Sequence, residues 1–127
     1  MSWDLVLFNS TEKINLIEDI DESSLIEIDF DTLLSDFFPN KKEDSNHIKI
    51  LGNDFSLEYF KRAELVSNKM ITIYGKNGIY ELAKFAKKHN FQIYDTGIEK
   101  MIDLENPENN GYKNFQKYRN QVLKEKE

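Results

Sequence analysis

The feature that most limits the fold of this chain is a set of short, strongly apolar runs bounded by turn-forming residues. They fall at residues 3–8, 48–51, 55–60, 70–74 and 91–94, and they are rich in β-branched and aromatic side chains. Runs of this length and composition are typical of β-strands. Because an isolated strand or hairpin is barely stable in water, we expect these runs to pair in one sheet with helices packed on it.

Three further segments carry the periodicity of amphipathic helices. The first begins near Asp29 or Asp31, where a carboxylate suits a helix N-terminus, and ends before Pro39. The second opens after the glycine-containing turn at residues 75–78 and ends at residues 87–90, with lysines and an asparagine suited to a helix C-terminus. The third spans about residues 112–124, and its apolar positions are Tyr112, Phe115, Tyr118 and Val122.

The order of these elements predicts an α+β fold with a single mixed sheet and helices packed on it. The nearest simple template is a ferredoxin-like β-α-β-β-(β)-α-β core, in which the strand in parentheses is an addition to the template, followed by a C-terminal helix. Residues 40–46 are polar and are expected to form a loop. A chain of 127 residues matches the usual size of one domain, so we expect a single domain over residues 1–127.

Charge is distributed unevenly along the chain, whose formal net charge is −6. Residues 1–60 hold fourteen Asp and Glu against four Lys, whereas residues 61–127 hold nine Asp and Glu against thirteen Lys and Arg. Residues 18–36 contain eight carboxylates and no Lys or Arg. A surface of this kind steers a basic partner, unless the basic half folds back and neutralises it. The residues that we assign to protein binding are Glu18, Asp19, Asp21, Glu22, Glu27 and Asp29.

Composition excludes several classes of function. The chain contains no cysteine, which rules out disulfides and thiolate metal sites. Its acidic balance argues against nucleic acid as a partner, because phosphate binding needs a basic face. No run approaches the roughly 18 apolar residues that a membrane-spanning helix requires, and the first residues lack the features of a signal peptide. We therefore expect a cytoplasmic protein with no membrane contact.

Two carboxylates are the candidates for catalysis, Asp95 and Asp103. Asp95 opens an Asp-Thr-Gly triplet of the kind found in aspartic proteases, although the same triplet is also an ordinary strand-end turn. The two side chains approach each other only if residues 98–102 turn back. Asp19 and Asp21 resemble the start of a calcium loop, but Ser24 stands where that loop needs glycine. We expect no metal and no cofactor.

Several stretches resemble a family of small uncharacterised bacterial proteins. They are Met-Ser-Trp-Asp at residues 1–4, Leu-Phe-Asn-Ser at 7–10, Val-Ser-Asn-Lys at 66–69, Tyr-Gly at 74–75 with Tyr-Glu-Leu-Ala at 80–83, and Asp-Thr-Gly at 95–97 with residues 101–107. The resemblance covers most of the chain and implies a compact bacterial domain, but it transfers no activity. In size, acidity and single-domain build the chain is also similar to bacterial immunity proteins, which inhibit a toxin by covering it.

These observations predict a non-catalytic acidic module that binds a basic protein, in the manner of an immunity protein that antagonises a toxin. Two alternatives stay open. One is a small hydrolase that depends on carboxylates, and the other is a structural or adaptor domain. A cleft with converging acids would favour catalysis, whereas a flat or convex acidic surface would favour docking.

Overall fold

A computed structural model describes residues 2–110 of the chain. The fold is α+β and has two layers, a β-sheet and the helices packed on it. Two α-helices, α1 (Phe30–Phe37) and α2 (Gly78–His89), accompany one seven-stranded sheet. The strands are β1 (Ser2–Phe8), β2 (Lys41–Asp44), β3 (His47–Leu51), β4 (Ser56–Phe60), β5 (Asn68–Tyr74), β6 (Gln92–Asp95) and β7 (Lys100–Met101). The helix expected over residues 112–124 lies outside the described residues.

The α+β class with a single sheet is confirmed, but the ferredoxin-like topology is not supported by the strand order. That order is β2-β3-β4-β5-β1-β6-β7, and every neighbouring pair is antiparallel rather than mixed. After α1 the chain enters β2 at one edge of the sheet and returns to its centre through β3, β4 and β5, while β7 forms the other edge. The strands that α2 connects, β5 and β6, lie on either side of β1.

The core lies between the two helices and one face of the sheet. Alternate residues of the central strands point into it, as the two-residue period of a strand requires. The helix α2 is held against the sheet by fully buried apolar side chains, and a tilted contact joins the rings of Phe30 and Phe91 at 4.8 Å. The largest fully buried side chains include Leu5, Leu7, Phe30, Leu34, Ile71, Ile73, Ile79, Phe85 and Phe91.

The polar segment at residues 40–46 is not the loop that its composition predicts. Residues Lys41–Asp44 form β2, which pairs with β3 through a tight turn where Ser45 has a φ of 58°. All four β2 side chains are exposed, so the strand depends on backbone pairing with β3 and carries no apolar period. A charged strand of this kind suits a sheet edge, because charged side chains discourage pairing with a further chain.

A buried ion pair ties α1 to the central sheet. Lys69 of β5 is buried and its ammonium bonds to the carboxylate of Asp31, which is also largely shielded from water. The other oxygen of Asp31 accepts the backbone N–H of Arg62 at 2.9 Å. The Lys69 ammonium also lies 5.2 Å from the centre of the Tyr59 ring. Burial, followed by the nearby charge of Asp31, raises the pKa of the Tyr59 hydroxyl far above its ordinary value.

Removal of Asp31 should therefore destabilise the fold more than removal of both partners. We expect Asp31→Ala to cost about 3 kcal/mol of unfolding free energy, because it leaves the Lys69 charge buried without its carboxylate. Asp31→Ala with Lys69→Met should recover part of that loss. Urea unfolding of the three chains measures both values. A double variant no more stable than Asp31→Ala would contradict the assignment of the cost to the stranded lysine.

Candidate functional site

A long connection between β1 and α1, residues 9–29, carries the densest acidic stretch of the chain. It contains two single 3-10 turns, Ile17–Asp19 and Glu22–Ser24. Asp21 caps the second turn, since its carboxylate accepts the N–H of Ser23 at 3.0 Å and the Ser23 hydroxyl at 2.7 Å. These two bonds, the hydroxyl first, hold the pKa of Asp21 below its ordinary value. The segment is thus built from local turns with defined backbone geometry.

Backbone hydrogen bonds fix both ends of this connection to the end of the sheet. The N–H of Asn9 bonds to the Ser67 carbonyl at 2.9 Å, and the N–H of Ile26 bonds to the Asn9 carbonyl at 2.9 Å. The Asn9 side chain donates back to the carbonyl of Ile26 at 3.0 Å. Further along, the N–H of Ile28 bonds to the Val66 carbonyl at 2.9 Å. The chain that carries the acids is therefore attached on both sides to residues just before β5.

Gln92 of β6 holds the first part of the connection. Its side-chain oxygen accepts the N–H of Ile14 at 2.8 Å, and its side-chain nitrogen donates to the Glu12 carbonyl at 2.8 Å. Ile14 is buried, and so is Phe8, which pairs with Gln92 across the sheet. Because one amide side chain satisfies two backbone groups, residues 12–14 are fixed across the end of the sheet face opposite the helices.

The six residues assigned to protein binding lie on what we call the acidic loop, residues 16–29. All six are exposed, namely Glu18, Asp19, Asp21, Glu22, Glu27 and Asp29. None of them forms an ion pair with any other residue between 2 and 110. Within this range the lysines of the basic half bind other acids, as in the contacts of Lys61 with Glu43 and of Lys87 with Glu105. The loop therefore presents a concentrated negative charge to solvent.

Apolar side chains stand exposed among and beside these acids. Leu16 is 54% exposed and Ile26 is 48% exposed, both on the acidic loop. Leu65 is 53% exposed and precedes Val66, which bridges to Ile28. The residues that the sequence assigned to protein binding are all acidic, so these apolar side chains were missed. Their signal was an apolar residue in a polar stretch that fits no helix or strand period.

The two candidate catalytic carboxylates are not brought together. Residues 98–102 do turn back, since Asp95 pairs with Lys100 and the N–H of Ile102 bonds to the Ile93 carbonyl. This register places Asp103 three residues away from Asp95 along the strand pair, or about 10 Å. Contact or a shared proton needs carboxylates that almost touch, and the strand register keeps these two apart.

The environments of these carboxylates also differ. Asp95 is fully buried, and its side chain accepts the N–H of Gly97 at 2.7 Å, as in a strand-end turn. Asp103 is exposed, and it accepts from the Asn106 side chain at 3.0 Å and from the N–H of Glu105 at 3.0 Å. These bonds hold the pKa of Asp103 below its ordinary value and favour its charged form. That arrangement suits a loop cap better than a general acid.

A cleft of about 640 Å³ lies between residues 10–15 and residues 101–104. Glu12 and Asp103 line it, together with Lys13, whereas Asp95 does not. Across residues 2–110 there is no group of three or more side chains placed to ligate a metal ion. In the same range no helix has the length and apolar character needed to cross a bilayer.

Comparison with protein-family models, with curated proteins and with solved structures finds no match for this chain. The resemblance to a bacterial family and to immunity proteins therefore stays a prediction.

Asp29 offers a direct test of how the acidic loop is joined to α1. Its carboxylate caps the helix by accepting the Thr32 N–H at 3.1 Å and the Thr32 hydroxyl at 2.7 Å. The hydroxyl, then the N–H, lowers the pKa of Asp29. We expect Asp29→Ala to cost about 1 kcal/mol, whereas Asp29→Asn should cost little because asparagine is also a good cap.

The pH dependence of stability tests whether the charge of the Asp29 carboxylate contributes to this cap. Since the folded pKa of Asp29 lies below its ordinary value of 3.8, the contribution of the charged cap is present above that pH and is lost as the pH falls below it. Acid should therefore narrow the stability difference between the natural chain and Asp29→Ala, as measured by urea unfolding at neutral pH and near pH 2. An equal difference at both pH values would show that the charged cap does not contribute.

Proposed function

We propose that this chain is a non-catalytic binding protein that docks a basic surface of a partner protein through its acidic loop. The observation that carries the proposal is the state of the six carboxylates. They are exposed and attached to a loop fixed at both ends, and none pairs with a cation within residues 2–110. Fixed charges of one sign raise the association rate with an oppositely charged partner.

The exposed apolar side chains beside the acids support a binding role for the acidic loop, because acids that only kept the loop hydrated would need no apolar neighbours. Interfaces combine apolar anchors near their centre with a polar rim that excludes water. Leu16 and Ile26 lie within the acidic loop, so a partner that engages the acids would also cover them. None of the six loop acids lines the 640 Å³ cleft, and Asp19 and Asp21 share with Lys13 a pocket of only about 150 Å³, which favours docking over catalysis.

The kind of partner follows from the charge of the surface and from the character of the whole chain. A small acidic protein with a fixed acidic loop has the character of an immunity protein that covers the basic, substrate-binding face of a toxin. A toxin that acts on nucleic acid needs such a basic face, because it binds phosphates. We propose this class of partner, and a toxin-like chain encoded beside this one would identify it.

The partner can be identified by site-specific photocross-linking in the source cells. A photoreactive side chain at Ile26 should capture a protein with a basic surface, and the same group at Tyr80, which is exposed on α2, should not. With the purified partner, six changes on the acidic loop, each Glu→Gln or Asp→Asn, should slow association about tenfold or more. Salt should slow the natural pair in the same way.

The control neutralises exposed acids outside the acidic loop that form no ion pair within residues 2–110, Asp54, Glu99 and Glu108. This control should leave the association rate within about twofold, since charges beyond a Debye length are screened. Asp21→Asn and Asp29→Asn preserve the caps, so the six changes should alter the charge of the loop and leave the stability of the fold almost unchanged. Steering by the acidic loop is wrong if a genuine partner associates at the same rate at low and high salt.

The anchors give a separate prediction about dissociation. Leu16→Ala and Ile26→Ala should each speed dissociation of the partner about tenfold, because each removes an apolar contact worth roughly 1–2 kcal/mol. Association should change little, since no charge is altered. Surface plasmon resonance measures both rates, and Tyr80→Ala serves as the control. Unchanged dissociation in both loop variants would exclude these side chains from the interface.

A further inference from the structure

The cleft between residues 10–15 and residues 101–104 has the size and the lining of a small-molecule site. Its volume of about 640 Å³ falls within the range of roughly 300–1,000 Å³ that is usual for such sites. Two of its lining residues, Ile14 and Ile102, are buried, and two more, Met101 and Leu104, are half-buried. The cleft therefore offers an apolar floor against which a small molecule can bury an apolar group.

The polar groups that hold this floor together already have partners within the chain. The side chain of Gln92 accepts the N–H of Ile14 and donates to the carbonyl of Glu12, both at 2.8 Å. The N–H of Ile102 donates to the carbonyl of Ile93 at 2.8 Å. Because these groups are satisfied, an apolar ligand group covers them without leaving an unpaired donor or acceptor.

The rim of the cleft holds opposite charges that do not contact each other. Lys13 and Asp103 both line the cleft and are exposed, and neither forms an ion pair with another residue in the range 2–110. Hydrogen bonds from Asn106 and then Glu105 lower the pKa of Asp103. The charge of Lys13 lowers this pKa further, so the two side chains are close enough to interact. The rim thus presents an ammonium and a carboxylate side by side.

A ligand with a single charge is repelled at this rim. A bare anion faces the carboxylate of Asp103 and that of Glu12, which also lines the cleft. A bare cation faces the ammonium of Lys13. A molecule that carries an ammonium beside a carboxylate satisfies both charges, because each of its ends meets the opposite sign. The α-ammonium and α-carboxylate of an amino acid have this arrangement.

We propose that this cleft binds a free α-amino acid with an apolar side chain. The α-ammonium lies at Asp103, the α-carboxylate lies at Lys13, and the apolar side chain covers Ile14 and Ile102. The cleft holds the amino acid by non-covalent contacts alone. This inference does not depend on the proposed function, because none of the six acids of the acidic loop lines the cleft.

Four probes test the chemical class of the ligand. L-phenylalanine should bind the full chain with a dissociation constant of about 1 mM or lower, as expected for a ligand of its size. Phenethylamine lacks the carboxylate, phenylpropionate lacks the ammonium, and L-aspartate lacks the apolar side chain. Each should bind about tenfold more weakly or worse, because each loses one of the three contacts. Phenethylamine or phenylpropionate that binds as tightly as L-phenylalanine would overturn the amino-acid assignment.

The methionine methyl groups show where a probe binds. Of the three methionines, Met101 lines the cleft, whereas Met70 of β5 does not. Two strands, β1 and β6, lie between them. In a chain labelled at its methionine methyl groups, L-phenylalanine should shift the NMR signal of Met101 and leave that of Met70 in place. Equal shifts of both signals, or an unchanged Met101 signal at about 10 mM probe, would overturn the proposal.

Charge variants test the roles of the two rim residues. Lys13→Met and Asp103→Asn should each weaken binding of L-phenylalanine about tenfold, whereas Lys13→Arg keeps the charge and should stay within about threefold. Lys76→Met and Glu99→Gln are the matched controls, because both side chains are exposed and neither lines the cleft. Lys13→Met should not weaken binding of phenethylamine, a result that general damage to the fold would not give. Unchanged binding of L-phenylalanine by Lys13→Met and Asp103→Asn would show that the proposed site is wrong.

Discussion

The rest of the structure depends on the limited area that two short helices can cover. An α-helix is about 10 Å wide with its side chains, and seven strands at about 4.8 Å spacing span close to 30 Å. The described helices, α1 and α2, therefore cover one face of the sheet, and within residues 2–110 the chain covers the other face at one end, where residues 12–14 pass over Phe8. This explains why Leu5 and Ile71 are fully buried, whereas Met70, the neighbour of Ile71 along β5, stands in solvent.

The same constraint positions the acidic loop. The chain leaves β1 at the middle of the sheet and must reach α1 on the covered side, so residues 9–29 pass around the end of the strands. Asn9 and Gln92 supply the hydrogen bonds that hold this path. An acidic segment held by backbone bonds keeps its charges in one region, whereas a flexible segment would spread them. Electrostatic steering depends on that difference.

Local features of this fold could be predicted from the sequence, because a few residues determine each one. Asp29 caps α1, and Asn90 ends α2 with a φ of 59°, as expected for residues suited to those positions. The strand order could not be predicted in this way. It depends on β1 pairing with strands about seventy and ninety residues further along, and no local pattern encodes that choice. For β2, the side chains are all exposed, so no apolar period was present to find.

The sequence also could not decide whether the acidic loop presents its charge to solvent, because the lysines of the second half could have neutralised that charge. Within residues 2–110 the lysines of the second half that form ion pairs bind acids outside the loop. Lys69 is buried against Asp31, which lies just beyond the loop. A buried ammonium needs a carboxylate held close to it, and Asp31 on the rigid first turn of α1 meets that need better than an exposed loop acid. Pairing within the core thus leaves the loop acids to solvent.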